Sequence, residues 1–134
     1  MSLTELCVAV TIMLTAAAIS TPSLLRAREV YVLQATARMV ESRMQSARIQ
    51  AVTRNRDCRL NVTSPTTYVV ECQGTAWETI ETVTLPRPIT ITASGRPEFH
   101  QHGNVAPTAT LTLWDSMNHS VRVIVNVNGR VRIQ

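Results

Sequence analysis

Met1-Ser2-Leu3-Thr4-Glu5-Leu6-Cys7-Val8-Ala9-Val10-Thr11-Ile12-Met13-Leu14 opens the chain, and the apolar run that begins here continues through Pro22 to Leu25. From Leu6 to Leu25 no side chain is charged. At about 1.5 Å rise per residue, a helix of this length is roughly as long as a bilayer core is thick. Glu5 stands at the mouth of the run, where an ionised carboxylate costs on the order of 3 kcal/mol unless a positive group meets it. No Lys or Arg precedes Arg26, so the nearest positive group is the α-amine of Met1, in the same chain or in a neighbouring copy. At about 4 Å and an effective dielectric near 20, the pair gains on the order of 4 kcal/mol before desolvation is subtracted. Such a pair can set the register of one helix against another.

Beyond Pro22 the apolar pattern turns from continuous to striped. Val30, Leu33, Ala37, Val40, Met44, Ala47 and Ala51 recur at intervals of three and four, while Arg38, Glu41, Gln45 and Arg48 fall elsewhere around the helix. This predicts one long helix to about Thr53, loosened near Pro22, where a backbone hydrogen bond is lost and the preceding turn is crowded. The stripe is expected to pack on the chain's own sheet; a coiled-coil partner is the rival reading.

From Arg56 the period becomes two. Cys58, Leu60 and Val62 alternate with Arg59 and Asn61, and after Thr63-Ser64-Pro65-Thr66 come Tyr68, Val70 and Cys72. A hairpin turning at Pro65 sets Cys58 against Cys72, Leu60 against Val70, Val62 against Tyr68, and Arg59 against Glu71. Directly opposed cysteines at a non-hydrogen-bonded site are close enough for a disulfide, which needs an oxidising compartment. The alternative is two buried thiols. Cys7 lies in the apolar helix and reads as a free packing residue.

Thr79 to Leu85 alternates weakly before Pro86-Arg87-Pro88, and Ile89, Ile91 and Ala93 alternate again before a turn at Ser94-Gly95-Arg96-Pro97. Glu98 to Pro107 reads as irregular and exposed. His100 and His102 form His-x-His there, but with only Glu98 near in sequence they read as loop histidines and no metal is expected. Ala109, Leu111 and Leu113 lead into Trp114, and a turn at Asp115-Ser116-Met117-Asn118 precedes Val121, Val123, Val125 and Val127. Asn128-Gly129 is a two-residue hairpin signal. It predicts Arg130 and Arg132 on the face of Val127 and Val125, with Val131 and Ile133 beside Asn126 and Ile124.

The N-terminal residues, Met1-Ser2-Leu3-Thr4-Glu5-Leu6 before an apolar helix with Pro22, resemble the start of a mature type IV pilin or type II secretion pseudopilin. That family has a carboxylate at the fifth position and often proline at the twenty-second. The first residue is Met where the family usually has Phe, and its short basic leader ending in Gly is absent, so the chain reads as the processed form. Arg26 and Arg28 alone would favour retaining the C-terminal part in the cytoplasm, a bias that a removed basic leader reverses. A cleavable secretory signal with Ala16-Ala17-Ala18 near its cut lacks the required positive n-region, and a plain membrane anchor is the other alternative. Ala47-Arg48-Ile49-Gln50-Ala51-Val52, then Arg54-Asn55-Arg56, a Cys-bearing strand, and Gly129-Arg130-Val131-Arg132 are similar to the GspH/FimT branch.

The resemblance implies an α+β pilin fold: a long N-terminal helix, apolar then amphipathic, packed on a mostly antiparallel sheet head. It divides the chain into residues 1–25 (membrane or filament-core helix), 26–54 (amphipathic half) and 55–134 (β-rich head). It further implies a structural subunit polymerising into an extracellular type IV pilus-like filament, with Met1, Glu5 and Pro22 in assembly. The alternatives are a minor pseudopilin of a type II secretion system, in the periplasm, or a minor pilin that captures DNA. The partners implied are other copies, other pilins, a prepilin peptidase and inner-membrane assembly machinery. Some FimT-like members bind DNA through a C-terminal Gly-Arg-x-Arg element, which makes Arg130 and Arg132 candidate phosphate contacts with Arg122 a helper. Arginines on an edge strand also discourage edge-to-edge aggregation, and that reading stands beside DNA binding.

Composition fits this frame. The chain has 134 residues, 45% hydrophobic, which leaves room for one modest core beyond the apolar helix. All 13 basic residues are Arg and the net charge is +4, so anionic partners are admitted without being required. No phosphate-cradling glycine loop, nucleophile with a neighbouring base, or paired carboxylates in a pocket stretch suggests an enzyme, and no cofactor is expected.

Overall fold

The computed structural model describes residues 2–134, with the side chains of Ser20, Thr21 and Pro22 left out of the description. Among the described residues one helix, α1 (Leu3–Arg54), is followed by β1 (Cys58–Ser64), β2 (Thr67–Gln73), β3 (Trp77–Thr84) and β4 (Thr90–Ala93). Then come β5 (Glu98–Phe99), β6 (Thr110–Trp114), β7 (Ser120–Val125) and β8 (Val131–Ile133). The strands form two four-stranded sheets, ordered β3-β2-β1-β5 and β4-β6-β7-β8, with every pairing antiparallel. The chain divides into two compact units, Met1–Val32 and Leu33–Gln134, so α1 contributes to both.

Both ends of α1 are chemically closed. At the start, Ser2 sits just before the helix and its carbonyl takes the N–H of Glu5, while the Glu5 carboxylate reaches back to the Ser2 N–H at 3.0 Å. This is the glutamate half of a capping box, Ser-x-x-Glu ahead of an apolar run. At the end, Asn55 takes a positive φ of 51°. The Arg56 N–H then reaches the Ala51 carbonyl at 3.1 Å and the Asn55 N–H the Val52 carbonyl at 3.4 Å, a Schellman closure.

In the second unit the helical stripe is the core seam. Leu33, Ala37, Val40, Met44, Ala47 and Ala51 are each no more than 1% exposed. Val30, expected in the same stripe, is 36% exposed because it lies in the first unit, where apolar side chains are uncovered. The loosening expected at Pro22 lies outside the described side chains.

The β1–β2 register is the predicted one: Cys58↔Cys72, Arg59↔Glu71, Leu60↔Val70, Val62↔Tyr68. Cys58 and Cys72 are disulfide-bonded, with Cα atoms 4.0 Å apart. The Gln73 N–H bonds the Asp57 carbonyl at 2.7 Å, so the neighbouring cysteine pair is the non-hydrogen-bonded kind. Arg59 Nε and Glu71 Oε2 meet at 2.6 Å, and the guanidinium stacks 3.9 Å over Trp77. Tyr68 is buried; burial pushes its phenol up to about 12, against the pull of Arg43 and with a smaller push from Glu81. It is a neutral packing group.

Three expectations are corrected. The strand before Leu85 begins earlier, at Trp77, and is bulged: Val70 pairs Glu81 and Glu71 pairs Thr79, leaving Ile80 out of the ladder. The Glu98–Pro107 stretch is not all exposed. Phe99 and Val105 are fully buried and bridge each other, because β5 pairs with β1 and closes over the core. The β7–β8 hairpin is one residue out of the predicted register: Val125↔Val131, Ile124↔Arg132, Val123↔Ile133. Of Asn128 and Gly129 only Gly129 has positive φ, at 72°, with its N–H on the Asn126 carbonyl and the Asn126 N–H on the Arg130 carbonyl. The loop therefore has three residues and a glycine bulge rather than two residues. The predicted register would have set Arg132 opposite buried Val125; the observed one sets Val131 there and turns Arg132 outward. Val127, expected on the strand, is in the loop and 61% exposed.

Two stability measurements check these assignments. Val131→Ala is expected to cost about 2 kcal/mol in denaturant titration and Arg132→Ala less than about 0.5 kcal/mol, an order the two-residue turn would reverse. Reduction of the disulfide is expected to remove about 3 kcal/mol, the value for a closed loop of roughly this length.

Candidate functional site

The first unit presents an apolar surface. Every large apolar side chain from Leu3 to Leu25 is about half exposed or more, from Val10 at 47% to Leu3 at 80%. The run is long and apolar enough to cross a membrane, and none of its described side chains is buried within the chain. Thr11 Oγ1 donates to the Cys7 carbonyl at 2.7 Å, and Thr15 Oγ1 to the carbonyls of Thr11 at 3.0 Å and Ile12 at 2.9 Å. Hydroxyls satisfied inside the helix do not oppose transfer into an apolar phase. Glu5 Oε2 holds the Ser2 N–H, which occupies one of about four acceptor sites on the carboxylate. The α-amine of Met1, its expected partner, lies outside the described residues. Cys7 is a free, exposed thiol on the same helix.

The second surface is the outer face of the β4-β6-β7-β8 sheet. Arg122 lies opposite Thr112, and Arg132 opposite Ile124. Gln134 exchanges both backbone bonds with Arg122, at 2.8 and 2.9 Å, which puts Arg132 on the diagonal from Arg122. Arg130, Arg132 and Arg122 are exposed, and none forms an ion pair among the described residues. Trp114 is partly exposed on this same face, opposite Ser120.

Gly129 is fixed from the other side. A Cβ there would collide with the Gly103 carbonyl oxygen and come within 2.7 Å of Arg48 Nε. Arg48 Nε donates to that carbonyl at 3.0 Å, and Gly103 itself has φ of 80°. The sequence places Arg48 off the apolar stripe; the structure shows it bracing two loops. The β6–β7 turn is closed by Asp115, whose side chain is shut off from solvent. Its Oδ1 accepts the N–H groups of Met117 and His119, both at 2.8 Å, and His119 Nδ1 donates to Oδ2 at 2.7 Å. Burial pushes this carboxyl up, but the His119 side chain and the two backbone N–H groups outweigh it and hold it below the usual carboxylate range.

The molecule thus combines a long helix whose first part is apolar and uncovered with an antiparallel two-sheet head stapled at Cys58–Cys72. The family model for the type II transport protein GspH matches residues 36–129. The chain belongs to the GspH family. The GspH-family fold extends to solved structures. The minor pseudopilin EpsH from the Type 2 Secretion System of Vibrio cholerae superposes with a TM-score of 0.66 at 13% identity, covering 76% of this chain and 95% of that one. The type IV minor pilin FimU of Pseudomonas aeruginosa strain PAO1 does so with a TM-score of 0.64 at 14% identity, covering 76% of this chain and 87% of that one. No match to a curated protein was found. The expected α+β pilin fold is present.

For this GspH-family chain the structure brings Arg122 and Arg132 together and joins Cys58 to Cys72, while Glu5 stands in the other unit. Two features were missed. The capping box was visible as Ser2-Leu3-Thr4-Glu5, whereas the role of Arg48 had no local signal. Gly129→Ala is expected to destabilise the head by more than about 1 kcal/mol in thermal or denaturant unfolding, since it adds a collision to a left-handed φ. Asp115, with its folded pKa depressed, stabilises fully above the ordinary carboxylate pKa of about 4 and loses that contribution as pH falls through the folded value. Asp115→Asn is therefore expected to lower stability at neutral pH and to flatten the loss on acidification, read from melts across that range.

Proposed function

We propose that this chain is a minor subunit of a type IV pilus-like filament, held in the inner membrane by its apolar half-helix and then drawn among the helices of neighbouring pilins. The observation that carries this is the uncovered surface from Leu3 to Leu25, too large and continuous to face water. Its occupants are lipid before assembly and other subunits' helices afterwards. Glu5 gives the assembly its register by meeting the α-amine of an adjacent subunit, and its remaining acceptor sites leave it competent to do so. Prepilin peptidase and the inner-membrane machinery are the partners this route requires. The minor rather than major role is supported by both solved relatives, one a minor pseudopilin and one a minor pilin. The filament is an extracellular pilus or a periplasmic pseudopilus.

Quantification of the chain in filaments sheared from producing cells, with electron microscopy alongside, tests this. The wild type is expected at a small fraction of the major subunit, and Glu5→Ala is expected to remain in the membrane fraction. Filaments built mainly of this chain would make it a major pilin, and equal incorporation of Glu5→Ala would remove Glu5 from assembly.

The outer sheet face supports a second reading, DNA capture by a minor pilin. Arg122 and Arg132 are adjacent, exposed and without carboxylate partners among the described residues, and Trp114 offers a stacking face nearby. Binding would be sequence-independent. Loss of Arg130 and Arg132 together is expected to lower the slope of log affinity against log salt by about 2, roughly 0.9 per phosphate contact. An unchanged slope leaves these arginines as guards of an edge strand.

A further inference from the structure

The head carries a second cluster, remote in sequence from the arginines. The β1–β5 pairing sets Cys58 against Phe99 and Arg59 against Glu98; carried one residue further, the same register brings Asp57 opposite His100. Phe99 points into the core, so strand alternation turns Glu98 and His100 to the other side, two residues apart on one face. One ligand atom from each of Asp57, Glu98 and His100 lies within 4.8 Å of the others, and all three residues are half-buried. His102, which the sequence pairs with His100, is exposed and outside the cluster.

The hydrogen bonds around the ring decide what the cluster can hold. His100 Nε2 lies 3.2 Å from the Ala106 carbonyl oxygen, which can only accept, so Nε2 carries the proton. In the neutral ring the lone pair then sits on Nδ1, which lies 3.1 Å from Asp57 Oδ2. A lone pair facing a carboxylate is repulsive unless a second proton or a cation stands between them. Asp57 Oδ1 is taken by the Gln101 N–H at 3.2 Å, which leaves Oδ2 as the oxygen turned to the ring. Arg59, opposite Glu98, does not neutralise it: its guanidinium is committed to Glu71 at 2.6 Å and to Trp77. An imidazole whose far N–H is fixed on a backbone carbonyl, with two carboxylates on the near side, is the outer-bond arrangement that orients metal ligands.

We propose that Asp57, Glu98 and His100 bind one divalent transition-metal ion of the zinc class, with water completing the coordination. The donor set of one imidazole nitrogen and two carboxylates suits this class better than calcium, which takes six to eight oxygens. Ligand atoms on one zinc stand about 3.3 Å apart, given bonds of about 2.0–2.2 Å. Asp57 and His100 stand close to that spacing at 3.1 Å, and a Glu98 carboxylate oxygen lies within 4.8 Å of both. The ion would tie the residue just beyond the α1 C-cap to β5, pinning the strand that closes over the core.

The test uses the tag-free full chain in detergent, stripped with a chelator and titrated with zinc chloride in a calorimeter, with cobalt chloride and visible absorption as a second probe. One zinc per chain is expected, accompanied by a rise in melting temperature. His100→Ala and Glu98→Gln are each expected to weaken binding by about tenfold or more, while His102→Ala and His119→Ala leave it unchanged. Glu98→Gln keeps the shape of the side chain and so keeps the test open if His100→Ala fails to fold. No saturable binding would overturn the site and leave His100 and Asp57 as an imidazolium–carboxylate pair. Binding lost in His102→Ala but retained in His100→Ala, or calcium saturation that zinc cannot displace, would also overturn it.

Discussion

The pairing of Cys58 with Cys72 is the constraint on which the head is built. β1 lies between β2 and β5, and once its first residue is bonded to β2 the period of two assigns every other residue a side. Leu60, Val70 and Tyr68 go inward, and Arg59 and Glu71 go to the opposite face. A slip of one residue would bury the arginine and the glutamate together and expose the aliphatics, so side-chain burial and the covalent bond enforce the same register. The Arg59–Glu71 pair is itself only 20% and 15% exposed, which makes its 2.6 Å contact and the Trp77 stack a requirement of that register as well as a product of it. The same strand start then sets Phe99 into the core through β5 and brings Asp57 to the side of His100.

How much of this was legible follows from how many independent signals agreed at each place. In the amphipathic part of α1 six of the seven stripe positions are buried, Val30 being the exposed one, so periodicity located the seam but not where it begins. The first hairpin was legible because turn, apolar alternation, cysteine pairing and charge pairing all selected one register. At Asn128-Gly129 the signals conflict: the dipeptide favours a two-residue turn, and the burial of Val131 requires a longer one. Burial outweighs the turn because a misplaced Arg132 would be desolvated beside Val125. Phe99 and Val105 carried no signal, being isolated apolar residues among Pro, Gly, His and Asn whose burial comes from strands distant in the chain. Asp57 and His100 are illegible for the same reason, since only the β1–β5 register joins them.

The helix gives one chain two kinds of surface. Its later turns are covered by the head, and small residues at Ala37, Ala47 and Ala51 leave no apolar bulk exposed along that seam. The large apolar side chains described on its earlier turns have no cover within the chain. Leu33–Gln134 is a compact unit, so under the proposed function the covering of the apolar side chains before it would fall to lipid or to other subunits. In the proposed assembly, Glu5 would make the contact addressable. An apolar surface slides along another with little preference for height, whereas one carboxylate at one height has a single best position against a positive group. The capping bond from Ser2 orders the helix end without neutralising the carboxylate, so the charge the proposed assembly would use is kept.

The same coupling of a structural residue to a surface one recurs at the C-terminus. Gly129 in Gly-Arg-x-Arg lies against the Gly103 carbonyl and the Arg48 guanidinium, in a backbone conformation that side chains avoid. That conformation supplies the bulge, the bulge adds one residue to the loop, and the added residue rotates Val131 inward and Arg132 outward. The glycine and the arginines of the element therefore form one device: without the left-handed glycine the strand would return in the other register and direct Arg132 at the core. The spacing Gly-Arg-x-Arg is accounted for by this geometry alone, whatever the arginines meet on the outer face.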